Sequence, residues 1–386
     1  MTRSNRLRRL LSVVLGAACT ALLTTGSAMG DVVAPKPATD TTFTIAVIPD
    51  TQNEVVYRLE DEWFKQRTQW LVDNADALNL KFVTHTGDVV NWYRIDNETV
   101  TYDQYIRASD ALAVLDNAGI PYSLSIGNHD AAATCEGGAA CPGEDTHANL
   151  RNTEVFNSFF PPSRFANLVR VYERNKIDNS YHTFTAGGLQ WLVLNLELWP
   201  RKEVVNWAKG VVAGHPHHNV IIVTHSHLTA SGDIAQTNGG YGDTSPQYVF
   251  DNLISRYRNV RFVFSGHTGL HAYRVDSGVH DNKIFQIQST YHNHASTRLV
   301  EIDTANGTFT TRVFSHETGQ GHDDGSSFSV SGVEWVQPSP ACRISRPGCR
   351  DRLLVAVDGA RDKAAHPPWA ALAKHHPPAR HRHPAG

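Results

Sequence analysis

Apolar positions along this chain follow two alternating periods. Seven runs rich in β-branched and aromatic residues read as strands: Phe43–Pro49, Lys81–His85, Tyr122–Ile126, Tyr181–Thr185, Gln190–Leu196, Asn219–Thr224 and Val260–Ser265. Between them the spacing turns helical. Trp63, Phe64, Trp70, Leu71 and Leu78 share one face, and Tyr105, Ile106, Leu112 and Ala113 share another, closed by Gly119. Val204, Trp207, Ala208 and Val211 predict a third helix, and Val249, Leu253 and Tyr257 a fourth. Gly187-Gly188 between two strand runs predicts a hairpin. Strand–helix alternation of this kind predicts an α/β fold, in which ligands lie just beyond the carboxyl ends of the strands. Further runs at Ile284–Gln288, Arg298–Ile302 and Phe309–Phe314, the last two joined by an Asn306-Gly307 turn, read as antiparallel strands of a second sheet packed on the first.

The strand ends carry the chemistry. The first run ends in Asp50-Thr51-Gln52, the second in Gly87-Asp88 and the third in Gly127-Asn128-His129-Asp130. Asn219–Thr224 ends in His225-Ser226-His227, and Val260–Ser265 in Gly266-His267. Any one of these has an ordinary explanation: Asp50 forms turns, Asp88 caps a helix, a lone His sits satisfied in a core. Five together, all at strand ends, point to a shared site. Carboxylate, amide oxygen and imidazole suit Zn, Mn or Fe. His85 reads as a buried structural side chain. His227 falls on the opposite face from His225 if the strand continues, and toward a substrate if it turns.

The order Asp-x-Gln, Gly-Asp, Gly-Asn-His-Asp, a lone His, then Gly-His resembles the calcineurin-like metallophosphoesterases over residues 43–335, and within them an exported bacterial branch whose first motif reads Ile-Pro-Asp-Thr-Gln. The resemblance implies a four-layer α/β/β/α sandwich of two mixed sheets, with two divalent metals at the carboxyl edge. It implies that Asp88 bridges the metals, that Asn128, His225 and His267 complete one site, and that Asp50 belongs to the other. It implies that His129 assists the leaving group, oriented by Asp130, while a metal-bound hydroxide attacks a phosphate mono- or diester. Two departures stand out. The first motif usually carries a second ligand His where this chain has Gln52, and the last usually reads Gly-His-x-His where this chain has Gly269. The Asp50 site is therefore expected to be the weaker one, keeping Asp50, Asp88 and the Gln52 amide oxygen. His271, His292 and His294 are at hand, but each reads first as a surface or supporting side chain. The alternative function is a degenerate relative that binds a metal or a partner with little catalysis; retention of His129 and Asp130 speaks against it.

Composition adds the setting. The chain has 386 residues, 41% hydrophobic and 19% charged, with 21 His. Arg3, Arg6, Arg8 and Arg9, the apolar run Leu10–Leu23 and the small-residue stretch Ala28-Met29-Gly30 read as a secretory signal over residues 1–30, with Arg8-Arg9 open to a twin-arginine reading. Residues 31–41 read as a linker, 42–335 as the phosphoesterase domain and 336–386 as a basic, Pro/His-rich disordered tail. The segment 341–386 holds nine Lys or Arg against three Asp, so the rest is acidic. Such a tail could touch anionic cell-surface polymers, although a solvated tail without a role is the plainer reading. Cys135 with Cys141 and Cys342 with Cys349 fit two local disulfides in an oxidising compartment. The expected substrate is a small or cell-surface phosphoester, its choice set by loops 91–101, 131–170 and 228–246. Trp92, Tyr93, Trp199 and Tyr241 read as packing residues before stacking ones. No apolar run is long enough to span a membrane comfortably, and no basic groove with interleaved aromatics favours nucleic acid.

Overall fold

The structure is a computed structural model that describes residues 41–57, 62–93 and 98–339. The expected signal (1–30), nearly all of the linker, the Cys342–Cys349 pair and most of the basic tail lie outside the described residues. The chain divides into two units, Met1–Trp335 and Val336–Gly386, and every element below lies in the first.

In chain order the elements are β1 (Thr42–Ile48), α1 (Trp63–Asp73), α2 (Ala75–Leu78), β2 (Leu80–His85), α3 (Glu98–Ala118) and β3 (Tyr122–Leu124). Then come α4 (Thr146–Asn149), α5 (Glu154–Phe159), β4 (Leu168–Val171), β5 (Ser180–Ala186), β6 (Leu189–Leu196), α6 (Lys202–Gly214), β7 (His218–Thr224) and α7 (Pro246–Asn252). The chain finishes with β8 (Val260–Ser265), β9 (His271–Ser277), β10 (Lys283–Ser289), β11 (Ser296–Asp303), β12 (Thr308–Ser315), β13 (Gln320–Gly321) and β14 (Phe328–Val330).

Two seven-stranded mixed sheets result. One runs β13-β12-β11-β1-β2-β3, with β14 on β12; the other runs β4-β5-β6-β7-β8-β10-β9. The period-2 alternation of each strand divides its side chains between two apolar layers. In β1, Ile45 and Val47 pack between the sheets, while Ala46 and Ile48 pack with Phe64 of α1 and Leu112 of α3. In β7, Ile221 and Val223 face the first sheet, while Val220 and Ile222 pack with Val204 and Val212 of α6. Helices thus cover both outer faces, as the four-layer expectation requires.

One expectation about topology is corrected. The late strands do not build the second sheet by themselves. That sheet is assembled around β6, β7 and β8, and β11 and β12 return to the first sheet, β11 lying antiparallel to β1. The reason is in the facing residues. Val300 and Ile302 of β11 and Phe309 of β12 join Phe43 and Ile45 in the layer between the sheets, where burial is most complete. Strand β10 is also not antiparallel to its inner neighbour: it runs parallel to β8 and antiparallel to the edge strand β9. The carboxyl end of β10 therefore falls at the same sheet edge as those of β7 and β8.

The loop 131–150 carries the expected Cys135–Cys141 disulfide, closing a small turn bridged at Thr134 and Ala140. Among the described residues no helix is long and apolar enough to cross a membrane.

Phe262 sits fully buried between the sheets, its ring within 5.1 Å of Phe309 and 5.7 Å of Phe285. Phe262→Ala should lower the unfolding free energy by about 3–5 kcal/mol in chemical denaturation. An effect below about 1 kcal/mol would contradict the close packing of the two sheets.

Candidate metal centre

The polar residues that follow β1, β2 and β3 of one sheet meet those that follow β7 and β8 of the other, at the carboxyl ends of these strands. Asp50 and Asp88 are both out of contact with solvent, at 0% and 1% exposure. Asp50 Oδ1 accepts from Thr86 Oγ1 at 3.1 Å, and its Oδ2 accepts from the His267 backbone N–H at 3.0 Å. Asp88 Oδ1 accepts from the His129 N–H at 3.0 Å, and its Oδ2 lies 3.0 Å from His225 Nε2. Glycine is needed where the loops converge. A Cβ on Gly127 would stand 2.0 Å from Asp88 Oδ1, and one on Gly266 would stand 2.0 Å from Asp50 Oδ1.

Two of the imidazoles, His225 and His129, are held by backbone carbonyls. His225 Nδ1 donates to Thr86 O at 3.0 Å, which turns Nε2 toward Asp88. His267 Nδ1 lies 3.2 Å from that same Nε2. Donor atoms of Asp88, His225 and His267 all fall within 4.8 Å of one another, and so do those of Asp50, Asp88 and His292. Asp88 belongs to both groups.

The electrostatics favour a cation here. Burial opposes charge on His225, but the Asp88 and Asp50 carboxylates outweigh it and push the imidazole up to about 9. Burial raises Asp88, and His225 and His129 more than cancel that, holding its carboxyl well below the usual range. Burial and the neighbouring His225 push His267 down to about 4. The residues fit divalent metals on a further observation: the side-chain oxygens Gln52 Oε1 and Asn128 Oδ1 are buried without a hydrogen-bond partner. Orphaned carbonyl oxygens are rare in folded proteins and call for an explanation. Bound cations would supply one, and amide oxygen, carboxylate and imidazole form a donor set suited to Zn, Mn or Fe.

His129 is held with its Nδ1 against Asn91 O at 2.5 Å, leaving Nε2 free, 3.8 Å from Asp88 Oδ2. The side chain is 16% exposed. Asp130 does not orient it, which corrects the sequence expectation. Its Oδ1 accepts from Val89 N and Val90 N at 2.9 and 3.1 Å, and its Oδ2 accepts from Gly127 N at 2.8 Å. Adjacent residues on a tight turn point to different sides, so His129 reaches the opening while Asp130 turns inward and ties two motif loops together. Burial and the nearby Asp88 charge push the Asp130 carboxyl up to about 7.

The second departure from expectation is His292. Taken from sequence as a surface or supporting residue, it stands with Nε2 3.1 Å from Asp50 Oδ2. The signal was present: once β10 is paired parallel to β8, His292 becomes a sixth strand-end residue at the same edge. His271 and His294 turn away, toward Asp324 and Glu317. His227 is buried against Gln286 of β10, facing neither the carboxylates nor solvent. His85 braces Thr51 and Gly87 from below, as a structural side chain. Trp92 and Tyr93 are buried; Trp199 packs edge-on to the His267 ring at 5.7 Å and carries the half-exposed Tyr241 on its outer face.

This chain is similar to several known proteins. An uncharacterised Bacillus subtilis protein, YvnB, is 25% identical over 257 residues, which is 63% of this chain but only 18% of that protein's length. Among solved structures, a dimetal phosphatase from Danio rerio aligns at 12% identity and a TM-score of 0.44, covering 75% of this chain and 98% of that one. GAP50 of Plasmodium, titled the anchor in the inner membrane complex, aligns at 10% identity and 0.45, covering 78% and 90%. The family model described as calcineurin-like phosphoesterase matches residues 43–270, more than half of the chain and all five sequence motifs. The chain belongs to the calcineurin-like phosphoesterase family.

Proposed function

We propose that this protein is an exported, metal-dependent hydrolase of small phosphate mono- or diesters. The observation that carries the reading is the sharing of Asp88 between two groups of possible metal ligands. Two bound divalent ions would supply Lewis acidity and a water acidic enough to act as a nucleophile at neutral pH. The chain's own residues do the rest. Asp50, Asp88, His225 and His267 bring donor atoms together, and the unpartnered oxygens of Asn128 and Gln52 would add to them. Thr86 serves both halves at once, donating to Asp50 through its hydroxyl and accepting from His225 through its carbonyl. His129, with Nδ1 on Asn91 O, presents Nε2 to the opening, where the protonated ring can give its proton to the departing oxygen. Asp130 acts on catalysis only by holding the loop that carries Asn128 and His129.

Export is supported by the basic and apolar N-terminal stretch and by the Cys135–Cys141 disulfide, which suits an oxidising compartment. The substrate would then be an extracytoplasmic or cell-surface phosphoester. Gln52 and Gly269, where the family usually has His, favour the second reading, a binding relative with little turnover.

Purified protein should hydrolyse p-nitrophenyl phosphate or its bis ester, lose that activity to a chelator and regain it with Mn or Zn. Asp88→Asn should lower kcat/KM by at least roughly a hundredfold. If metal-loaded protein turns over no member of a broad phosphoester panel, the binding reading replaces this one.

His129→Ala should slow alkyl esters by about 10²-fold or more and p-nitrophenyl esters far less, because p-nitrophenolate leaves without a proton. An equal loss on both ester classes would argue against proton donation by His129.

A further inference from the structure

The connection between β10 and β11 holds a residue that the family's motifs do not provide for. We infer that His292 supplies the imidazole of the Asp50 metal site, in place of the ligands missing at Gln52 and Gly269, and that Asn53 positions the loop carrying it. The inference deepens the hydrolase reading and rests on the same two-site arrangement.

Three observations carry it. First, the motif position itself is closed. Gly269 has φ +68°, and a Cβ there would stand 2.9 Å from Ala230 Cβ and 3.0 Å from Ala230 Cα. No imidazole can be placed at 269 without moving that backbone. Second, His292 already faces the site, 3.1 Å from Asp50 Oδ2, in one donor group with Asp50 and Asp88. The nearby Gln52 is 4% exposed, and its Oε1 has no partner. Third, the loop is built to hold that side chain. Thr290 N donates to Leu270 O at 3.0 Å, and Thr290 Oγ1 to Thr268 O at 2.9 Å, tying one end to the Gly-His motif. At the other end Ala295 N donates to Glu317 Oε1 at 2.9 Å, and Arg67, paired with Glu54 in the core, reaches His294 O at 3.4 Å. Between them Tyr291 adopts φ +49°, a left-handed conformation that a bulky residue keeps only where its surroundings impose it.

Asn53 joins this loop to the other half of the site. Its Nδ2 donates to Asn293 Oδ1 at 2.9 Å, and its Oδ1 accepts from Asn91 Nδ2 at 2.8 Å. Asn91 in turn holds the His129 ring through its carbonyl. One side chain thus sets the distance between the leaving-group side and the Asp50 side. His292 lies beyond residue 270, where the family match ends, and so stands outside the five motifs.

The test is metal binding, read independently of turnover. Chelator-stripped protein is titrated with Mn2+ by calorimetry, its metal content is measured after desalting, and the electron paramagnetic resonance of the Mn2+-loaded form is recorded. Wild-type protein should bind two ions and show a spin-coupled signal. His292→Ala should lose one ion, or weaken it by at least tenfold, and lose the coupling, while the other ion keeps its affinity. Asn53→Ala should weaken the same ion by about tenfold, in the range seen when a residue supporting a ligand is removed. His271→Ala, on a neighbouring strand, should leave both ions in place and controls for general disturbance. Circular dichroism should be unchanged in all three, since none of these side chains lies in an apolar core cluster. Two ions retained at unchanged affinity in His292→Ala, or fewer than two in the wild type, overturns the assignment. Two ions bound as expected with no phosphoester turned over would uphold it while sinking the hydrolase reading.

Discussion

Two carboxylates withdrawn from water at neighbouring strand ends set the conditions for the rest of this structure. Asp50 and Asp88 have almost no solvent contact, and a buried anion is tolerable only when charge and hydrogen bonds compensate it. Backbone N–H groups of His129 and His267 provide part of that compensation, and they can do so only because the loops carrying them close tightly over the strand ends. Close approach excludes side chains at Gly127 and Gly266. The Thr86 hydroxyl, the Gln52 amide and the imidazoles of His225 and His292 add to that compensation, each imidazole with a nitrogen near a carboxylate oxygen. The edge thus gathers carboxylates and imidazoles of the kind that can hold a cation.

Rigidity is distributed unevenly around those two groups. The inward side is braced by buried contacts: His85 between Thr51 and Gly87, Asp130 on three backbone amides, Thr86 between Asp50 and His225. The open side consists of His129, His292 and the half-exposed Tyr241, all carried on loops. A buried floor under a partly exposed rim suits a site whose ligand is chosen by loop shape. The disulfide turn takes part in the rim: a Cβ on Gly138, between Cys135 and Cys141, would stand 3.1 Å from the His129 ring and 2.7 Å from Asn91 Oδ1. The turn closed by this short cross-link thus lies close beside the His129 ring.

Most of the fold was legible from sequence because its strands are buried on both faces and its helices on one. Runs such as Val220–Val223 have no polar interruption, and α6 keeps a clean apolar stripe, so period alone identified them. Less was legible where burial is partial. Helices α4 and α5 have four and six residues, too short to carry a period, and the edge strand β9 mostly alternates half-buried with exposed positions, without a strong apolar run. Direction was the harder matter. A strand run does not state whether it lies parallel or antiparallel to its neighbour, and β10 was misassigned on that point, taking His292 with it.

The division between sequence and tertiary structure is therefore physical. Sequence by itself determined that ligand-type side chains terminate five apolar strands, because strand period, turn glycines and donor chemistry are all local properties. It also exposed the departures at Gln52 and Gly269. Only the tertiary structure decided which side chains meet. Asp130 serves backbone amides because a tight turn sends it inward, away from the His129 ring. His292 faces Asp50 because β10 lies between β8 and β9, parallel to the former. Pairing order in a sheet depends on contacts between residues far apart in the chain, and no local pattern encodes it.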